Sequence, residues 1–119
     1  MSYEYRLVFD DPSLMKNVMR ALKSSDSFVE GKGREIFLKD QPLQSNAKYD
    51  ARLILENDSS IWLEVNSKAV GLYELMMGAL EGGVVKCYED GDLHDEVSLK
   101  EVFALRHEGR RSLGRALHF

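Results

Sequence analysis

Apolar and polar residues alternate along positions 3–9, and this pattern predicts a first β-strand. Aromatic and leucine side chains occupy the odd positions of the segment, as is typical of a strand that buries one face. The spacing changes after Asp11 and Pro12, which suit the N-cap and first turn of a helix. Apolar residues then recur every three or four positions, so a helix is predicted over residues 12–24.

The next segment, residues 28–39, combines strand-forming residues with glycines. Gly31 and Gly33 interrupt it before strand character returns, and such interruptions predict one bent or bulged strand region. Residues 41–48 contain a proline and few apolar side chains, which predicts a flexible surface loop. This loop is too short to separate two domains.

Two further strands are predicted over residues 51–56 and 61–66, joined by a polar turn. In an antiparallel hairpin, the residue numbers of two opposite residues add up to the same sum for every pair. The apolar odd-numbered residues of the two strands lie on one face only if this sum is even. An even sum excludes a two-residue turn and predicts a turn of three or five residues. The opposite face would then carry Arg52, Ile54, Glu56, Trp62 and Glu64.

An apolar stripe within residues 72–80 predicts a second helix. Ser67 is a suitable N-cap for it, and Gly82 with Gly83 would supply a left-handed stop. Residues 84–89 are rich in β-favouring side chains and predict a further strand.

Ser98 and Glu101 have the spacing of a capping box, which predicts a short C-terminal helix. The predicted fold is therefore α+β: a largely antiparallel sheet with two main helices packed on one face, ferredoxin-like or a variant of it. Residues 1–105 would form a single domain, followed by a basic tail over residues 106–119. Four arginines against Glu108 give this tail a charge of +3, which leaves −7 for the rest of a chain whose formal total is −4.

Composition favours a soluble cytosolic protein. A chain of 119 residues with 44% hydrophobic content can form one core. The single cysteine, Cys87, cannot form an internal disulfide, and the sequence shows neither an export signal nor a segment able to span a membrane. The net charge of −4 makes nucleic acid an unfavourable partner. No cofactor is expected, because no ligand set occurs at a diagnostic spacing.

Five carboxylates fall within eight residues in the last third of the chain. They belong to Glu89, Asp90, Asp92, Asp95 and Glu96. The simplest interpretation is a turn between strands whose acidic side chains are solvated. A second interpretation is a recognition surface, because clustered negative charge attracts basic partners and accelerates their association.

A third interpretation of this stretch is a degenerate calcium loop of the EF-hand type. Asp90, Asp92, Ser98 and Glu101 match ligand positions of that loop. Asp95, however, replaces the glycine that makes the sharp turn, and the preceding segment is a predicted strand instead of a helix. We therefore assign no metal ligands.

Trp62, with Glu56 and Glu64 beside it, completes the candidate site. An aromatic anchor within a charged surround is typical of protein-binding patches. A covering helix would instead make this tryptophan part of the core. The predicted partner-binding residues are these three together with the five acids of the acidic stretch.

Two other chemical signals are weaker. Cys87 and His94 are a conceivable nucleophile and base, but no orienting group is recognisable, and a cysteine in a strand more often packs as a small apolar group. The segment 31–33 resembles a fragment of a phosphate loop but lacks the ending and the helix that such a loop requires.

The sequence thus favours a non-enzymatic protein-binding domain that presents an acidic surface to a basic partner, with an immunity or inhibitor protein as its most concrete form. A second class is a small-ligand-binding domain or enzyme with a site between helices and sheet, using Tyr3, Tyr5, Arg6, Arg34 or Glu64. A third class is a homo-oligomeric structural protein, joined through a free strand edge or through apolar residues of the tail. A closed core favours the first class, and a deep polar pocket favours the second.

Overall fold

The structure is a computed structural model that describes residues 3–66 and 68–104. In this part of the chain the strands are β1 Tyr3–Phe9, β2 Phe28–Lys32, β3 Glu35–Leu38, β4 Ala51–Leu55, β5 Ser60–Val65, β6 Val85–Glu89 and β7 Glu96–Val97. The helices are α1 Pro12–Lys23, α2 Val70–Leu80 and α3 Leu99–Ala104, with a short 3-10 turn at Gln41–Leu43. The α+β class is confirmed.

The seven strands form one antiparallel sheet in the order β2-β3-β4-β5-β1-β6-β7. Strands β2 to β5 are a meander in which each strand pairs with the next. Strand β1 lies between β5 and β6. Helix α1 therefore connects an interior strand to the far edge of the sheet, and α2 connects the two strands that flank β1.

One face of the sheet contributes to the hydrophobic core. Alternate strand positions are buried, among them Tyr5, Leu7, Leu53, Ile61 and Leu63. Helix side chains belong to the same buried cluster, including Met15, Val18, Leu22, Leu72, Met76, Val102 and Phe103. The two periodicities in the sequence, two for strands and 3.6 for helices, thus meet in a single core.

The remaining strand positions lie on the other face of the sheet. One row of them crosses all seven strands. From the β2 edge to the β7 edge, the register aligns Lys32, Glu35, Ile54, Trp62, Arg6, Tyr88 and Glu96. In the next row, Arg52 pairs directly with Glu64. These pairings confirm the predicted positions of Arg52, Ile54, Trp62 and Glu64 on the face opposite the core. Glu56 follows β4 and is in none of these pairs, but its side chain bonds to Arg6 of the same row.

The β4–β5 hairpin has the even register that its apolar pattern predicts. Ala51 lies opposite Val65, so the paired residue numbers sum to 116. The backbone N–H of Glu56 donates to the carbonyl of Ser60 at 3.1 Å, which leaves a three-residue turn between them. The side chain of Asn57 stabilises this turn by accepting hydrogen bonds from two backbone N–H groups.

The prediction of one bent strand over residues 28–39 is wrong. The segment is a hairpin of β2 and β3, with Lys32 paired to Glu35. Gly33 makes the reversal possible because it adopts a left-handed conformation, with φ 62°. The predicted bulge is present, between Phe28 and Glu30 in β2.

Helix α2 begins differently from its prediction. Ala69 occupies the N-cap position and supplies no capping side chain. Asp40 instead reaches the helix from the loop after β3, and its Oδ2 accepts a hydrogen bond from the Gly71 N–H at 2.9 Å. Ser67, the predicted cap, lies outside the described residues. A distant carboxylate therefore replaces the local cap.

The C-terminus of α2 and the N-terminus of α3 agree with their predictions. Helix α2 is followed by Glu81 and Gly82 in left-handed conformations, with φ 48° and 84°. The capping box of α3 is present, because the Glu101 N–H donates to Ser98 Oγ at 3.1 Å and the Ser98 N–H donates to Glu101 Oε1 at 3.2 Å.

The tail over residues 106–119 lies outside the described residues. Within the described ranges, no helix combines the length and the apolar character needed to cross a bilayer.

Candidate functional site

Trp62 lies near the middle of the cross-strand row, between Ile54 on one neighbouring strand and Arg6 on the other. The guanidinium carbon of Arg6 is 5.5 Å from the centroid of the indole ring, which is a cation–π distance. Arg6 also binds Glu56 through two hydrogen bonds, of 2.9 and 3.1 Å. The tryptophan is half-buried on this face.

A second arginine, Arg52, links three strands next to Trp62 on the same face. Arg52 donates to Glu35 at 2.9 Å and to both carboxylate oxygens of Glu64 at 3.1 and 3.2 Å. Its guanidinium carbon lies 5.9 Å from the ring centroid of Phe37. Two predicted site residues, Glu56 and Glu64, are therefore in ion pairs with arginines. Glu64 pairs with Arg52 on the adjacent strand, whereas Glu56, at the end of β4, pairs with Arg6 on β1, two strands away.

These ion pairs shift the acidities of their members. The hydrogen bond from Arg6 lowers the pKa of Glu56 below its ordinary value, and Ser60 contributes in the same direction. The hydrogen bond from Arg52 lowers the pKa of Glu35. Both carboxylates are consequently ionised at neutral pH.

The acidic stretch contains the turn between β6 and β7. We call this turn, residues 90–95, the acidic turn. The Asp90 N–H donates to the Glu4 carbonyl at 2.8 Å, and the Glu89 N–H donates to the Asp95 carbonyl at 3.0 Å. Asp92 Oδ1 accepts from the His94 N–H at 2.9 Å, as in an Asx turn. The turn thus uses its own polar groups for backbone geometry, and its first residue is tied to the start of β1.

This acidic turn packs against Trp62. Gly91 has φ 76°, and a Cβ placed on it would lie 3.0 Å from Cζ3 of the indole and 3.6 Å from a terminal nitrogen of Arg6. A side chain larger than hydrogen would therefore push the ring away. Tertiary structure brings together the two groups that the sequence suggested separately, the acidic turn and the tryptophan.

The five acids of the stretch do not share one environment. Asp90, Asp92 and Glu96 are exposed, and Asp95 is half-buried. Glu89 is only 3% exposed, which contradicts its assignment to a partner-binding surface. The physical reason is strand parity, because Glu89 pairs with the buried Tyr5 on the core face.

The EF-hand interpretation is wrong. The loop connects two strands, whereas a calcium loop of that type connects two helices. Glu101, its proposed last ligand, bonds to Ser98 in the capping box. Across residues 3–66 and 68–104, no cluster of three or more His, Cys, Asp or Glu side chains is placed to hold a metal ion.

Cys87 does not have the environment of a nucleophile. Its side chain is buried on the core face of β6, and burial raises the pKa of the thiol to about 12, with a further contribution from the charge of Glu96. His94 is exposed in the acidic turn. The thiol is therefore protonated and packs as an apolar group.

The polar residues considered for a small-ligand site do not converge. Tyr5 is fully buried in the core. Arg6 and Glu64 lie in ion pairs on the other face, and Arg34 is exposed near the β4–β5 turn, where it donates to the Glu56 carbonyl at 3.4 Å. Three surface grooves, one beside α1, one between the 3-10 turn and α2, and one between α2 and α3, are lined by other residues.

Sequence reasoning missed a buried polar cluster around two aspartates. Asp50 is fully buried, and its carboxylate accepts hydrogen bonds from the Asp40 N–H at 2.9 Å and from the Ser45 hydroxyl at 2.6 Å. Lys39 Nζ lies 4.0 Å from Asp50 and donates to backbone carbonyls of the loop. Asp40 in turn caps α2. The only signal for this structural cluster was the aspartates that flank the predicted loop.

Comparisons with protein-family models, with curated proteins and with solved structures found no match.

Proposed function

We propose that the protein is a non-enzymatic protein-binding domain whose acidic-aromatic surface binds a basic partner protein. The acidic-aromatic surface consists of Trp62, Glu56, Glu64, Asp90, Asp92, Asp95 and Glu96. The most concrete form of this function is an immunity or inhibitor protein that acts in the cytosol.

The contact between Gly91 and the ring of Trp62 carries the proposal. It places exposed carboxylates beside a half-buried indole on the face of the sheet that does not form the core. Interfaces of this composition are effective because the ring loses water on contact while the surrounding charges orient and accelerate the encounter. The proposal therefore depends on proximity of the two groups and not on the number of acids.

The charges of the surface divide into two sets. Glu56 and Glu64 are paired with arginines, which limits their contribution to the outward field. The ion pairs between described residues include neither Asp90, Asp92 nor Glu96. We assign the attraction of a basic partner to these three, and the positioning of Trp62 to the paired groups.

An inhibitor of a nucleic-acid-binding protein is the form that such a surface suits best. Grooves that bind phosphate backbones are lined with lysine and arginine side chains. Carboxylates spaced along a turn and a strand edge can occupy such a groove in place of phosphates. This interpretation rests on charge complementarity and on the adjacent aromatic anchor.

We further propose that the fold is a ferredoxin-like variant in which α1 and α2 both cover the core face. The four-strand meander β2 to β5 would then replace the two-strand hairpin of the simplest such sandwich. Burial of side chains from both helices in one cluster with the core-facing strand positions supports this arrangement. It would leave the acidic-aromatic surface free for a partner.

Affinity capture from a native cell extract tests the function, with the tagged protein as bait at low and high salt. The surface variant carries Asp90→Asn, Asp92→Asn and Glu96→Gln, and asparagine tolerates the left-handed backbone of Asp90, φ 54°. We expect one stoichiometric partner that is released at high salt, with recovery at least about tenfold lower for the variant.

A matched control variant, Asp26→Asn with Glu74→Gln and Glu81→Gln, removes the same charge at exposed positions elsewhere. It should capture the partner as well as the unchanged protein does. Trp62→Ser, checked for folding by circular dichroism, should reduce recovery at low salt although it removes no charge. Equal recovery by all variants would contradict the acidic-aromatic surface, and elution of the bait alone would contradict the protein-binding function.

A further inference from the structure

A second surface feature lies at the other end of the sheet, between α1 and the β4–β5 turn. It is a groove of about 380 Å³. Its apolar floor is formed by Met15, Met19 and Leu55, and its charged rim by Lys16, Arg20, Lys23 and Asp58. We call it the basic groove. Met15 and Met19 belong to the core and are only 3% and 9% exposed, so the floor is well packed, and their flexible side chains can still adjust to a partner.

The charge of helix α1 is unusual in an acidic chain. Lys16, Arg20 and Lys23 are the only charged residues of the helix, although the chain as a whole has a net charge of −4. Their spacing of four and three residues places them along one side of the helix. Ion pairs between described residues include none of these three side chains. The helix dipole explains the preference for Arg20 and Lys23 in the last turn, but it does not explain Lys16.

The acidic turn has a complementary composition. Leu93 at its tip is 64% exposed, which is the highest value among the exposed large hydrophobic side chains of the described residues. Asp90 and Asp92 precede it and are also exposed. The turn therefore presents one apolar side chain with carboxylates around it, and the basic groove presents an apolar floor with cations around it.

The two features lie at opposite ends of β1. The acidic turn is bonded to the Glu4 carbonyl at the start of that strand, whereas the Phe9 N–H at its other end donates to Ser59 in the β4–β5 turn at 2.7 Å. About five residues of extended strand separate them, or roughly 17 Å. One molecule therefore cannot place its own turn in its own groove.

We propose that the basic groove binds the acidic turn of a second copy of this chain. Leu93 of one copy enters the groove over Met15 and Met19 of the next, and Asp90 and Asp92 face the lysines and arginine of the rim. The contact joins two different surfaces, so each copy retains one free groove and one free turn. Association is therefore end to end and continues into chains or a closed ring.

This inference does not rest on the proposed function, because it concerns the purified protein alone. If the protein both self-associates and binds a basic partner, the two proposals together have a regulatory consequence. The acidic turn belongs to the acidic-aromatic surface, so self-association and binding of a basic partner compete for the same carboxylates.

Sedimentation velocity over a range of concentrations at low salt tests the proposal. The groove variant carries Lys16→Glu, Arg20→Glu and Lys23→Glu, and the turn variant carries Asp90→Asn, Asp92→Asn and Leu93→Ser. The unchanged protein should form larger species as concentration rises, and higher salt should weaken the association by about tenfold. Each variant alone should remain a monomer.

Mixing the two variants gives the decisive result. The groove variant retains its turn and the turn variant retains its groove, so an equimolar mixture should form a one-to-one dimer that grows no further. A symmetric interface that joins groove to groove or turn to turn cannot produce this behaviour, because one variant of the mixture always lacks the surface that it would need. If the unchanged protein associates but the equimolar mixture of the two variants does not form a dimer, the proposal is overturned.

A control variant, Lys48→Glu with Lys68→Glu and Lys100→Glu, makes the same charge reversal at exposed positions outside the groove. It should associate like the unchanged protein. Circular dichroism confirms that each variant is folded before it is compared. A protein that remains monomeric at every concentration in low salt, or that associates equally well with either set of changes, contradicts the proposed contact.

Discussion

Cys87 illustrates how strand parity decides the chemistry of a single residue. It lies opposite Leu7 and Val97 in the sheet, and its side chain is 1% exposed on the core face. Burial disfavours the thiolate because the charge would lose its water, and the negative charge of Glu96 adds to this effect. The cysteine is therefore part of the core and is chemically inert in the folded state.

We predict that the native protein reacts slowly with thiol reagents. Labelling of Cys87 by a disulfide reagent at pH 8 should be at least about a hundredfold slower in the folded protein than in urea, because reaction requires the thiolate and an opening of the core. Absorbance of the released thiol measures both rates. Rapid labelling of the folded protein would show that the thiol is accessible and acidic, contrary to its position.

Helix α2 shows how an element depends on a residue far away in the sequence. The carboxylate of Asp40 caps its first turn, and this carboxylate fits only because residue 71 is glycine. A Cβ at that position would lie 2.6 Å from Asp40 Oδ1. Gly78 lies in the same helix, and a Cβ there would meet nothing within 4 Å.

These two glycines provide a matched test of the cap. Gly71→Ala should lower the free energy of unfolding by about 0.5–2 kcal/mol, because the methyl group displaces Asp40 from the helix terminus. Gly78→Ala should raise it by about 0.5–1 kcal/mol, because alanine favours the helix at an unobstructed position. Urea denaturation measures both. Stabilisation by both substitutions would show that the cap contributes nothing.

The β2–β3 hairpin is an element whose type could not be predicted from local pattern alone. Two glycines within five residues suit a bulged strand as well as a reversal. The choice depends on whether residue 33 adopts a left-handed conformation, and pairing of β3 with β4 favours the reversal because it extends the meander. The hairpin of β4 and β5 was predictable because both of its strands alternate clearly.

At the scale of the whole molecule, ion pairs link strands across the face opposite the core. Arg6 connects β1 to the end of β4, and Arg52 connects β4 to β3 and β5. The hydrogen bonds from these arginines lower the pKa of Glu56 and of Glu35. A carboxyl group with a lowered pKa in the folded state stabilises that state above its unfolded pKa of 4.5.

We therefore predict an acid-dependent loss of stability. As the pH falls below 4.5 and passes the lowered pKa of Glu56, its contribution disappears. Glu56→Gln should lower the free energy of unfolding by about 0.5–1 kcal/mol at pH 7, and this difference from the unchanged protein should shrink towards pH 2. Urea titrations at several pH values measure it, with Glu74→Gln as the exposed control. A difference that stays constant with pH would contradict the role of the ion pair.

The sequence by itself determined the class of the protein, its main strands and helices, the parity of the β4–β5 hairpin and the caps of α1 and α3. The cap of α1 is Asp11, whose Oδ1 accepts a hydrogen bond from the Ser13 N–H at 2.9 Å. These features depend on interactions between near neighbours, which residue spacing records. The tertiary structure alone decided that Glu89 is buried, that Asp40 caps α2 and that the acidic turn packs on Trp62. Each of these depends on strand order and on contacts between segments far apart in the chain, such as residues 62 and 91, and no local pattern encodes such distances.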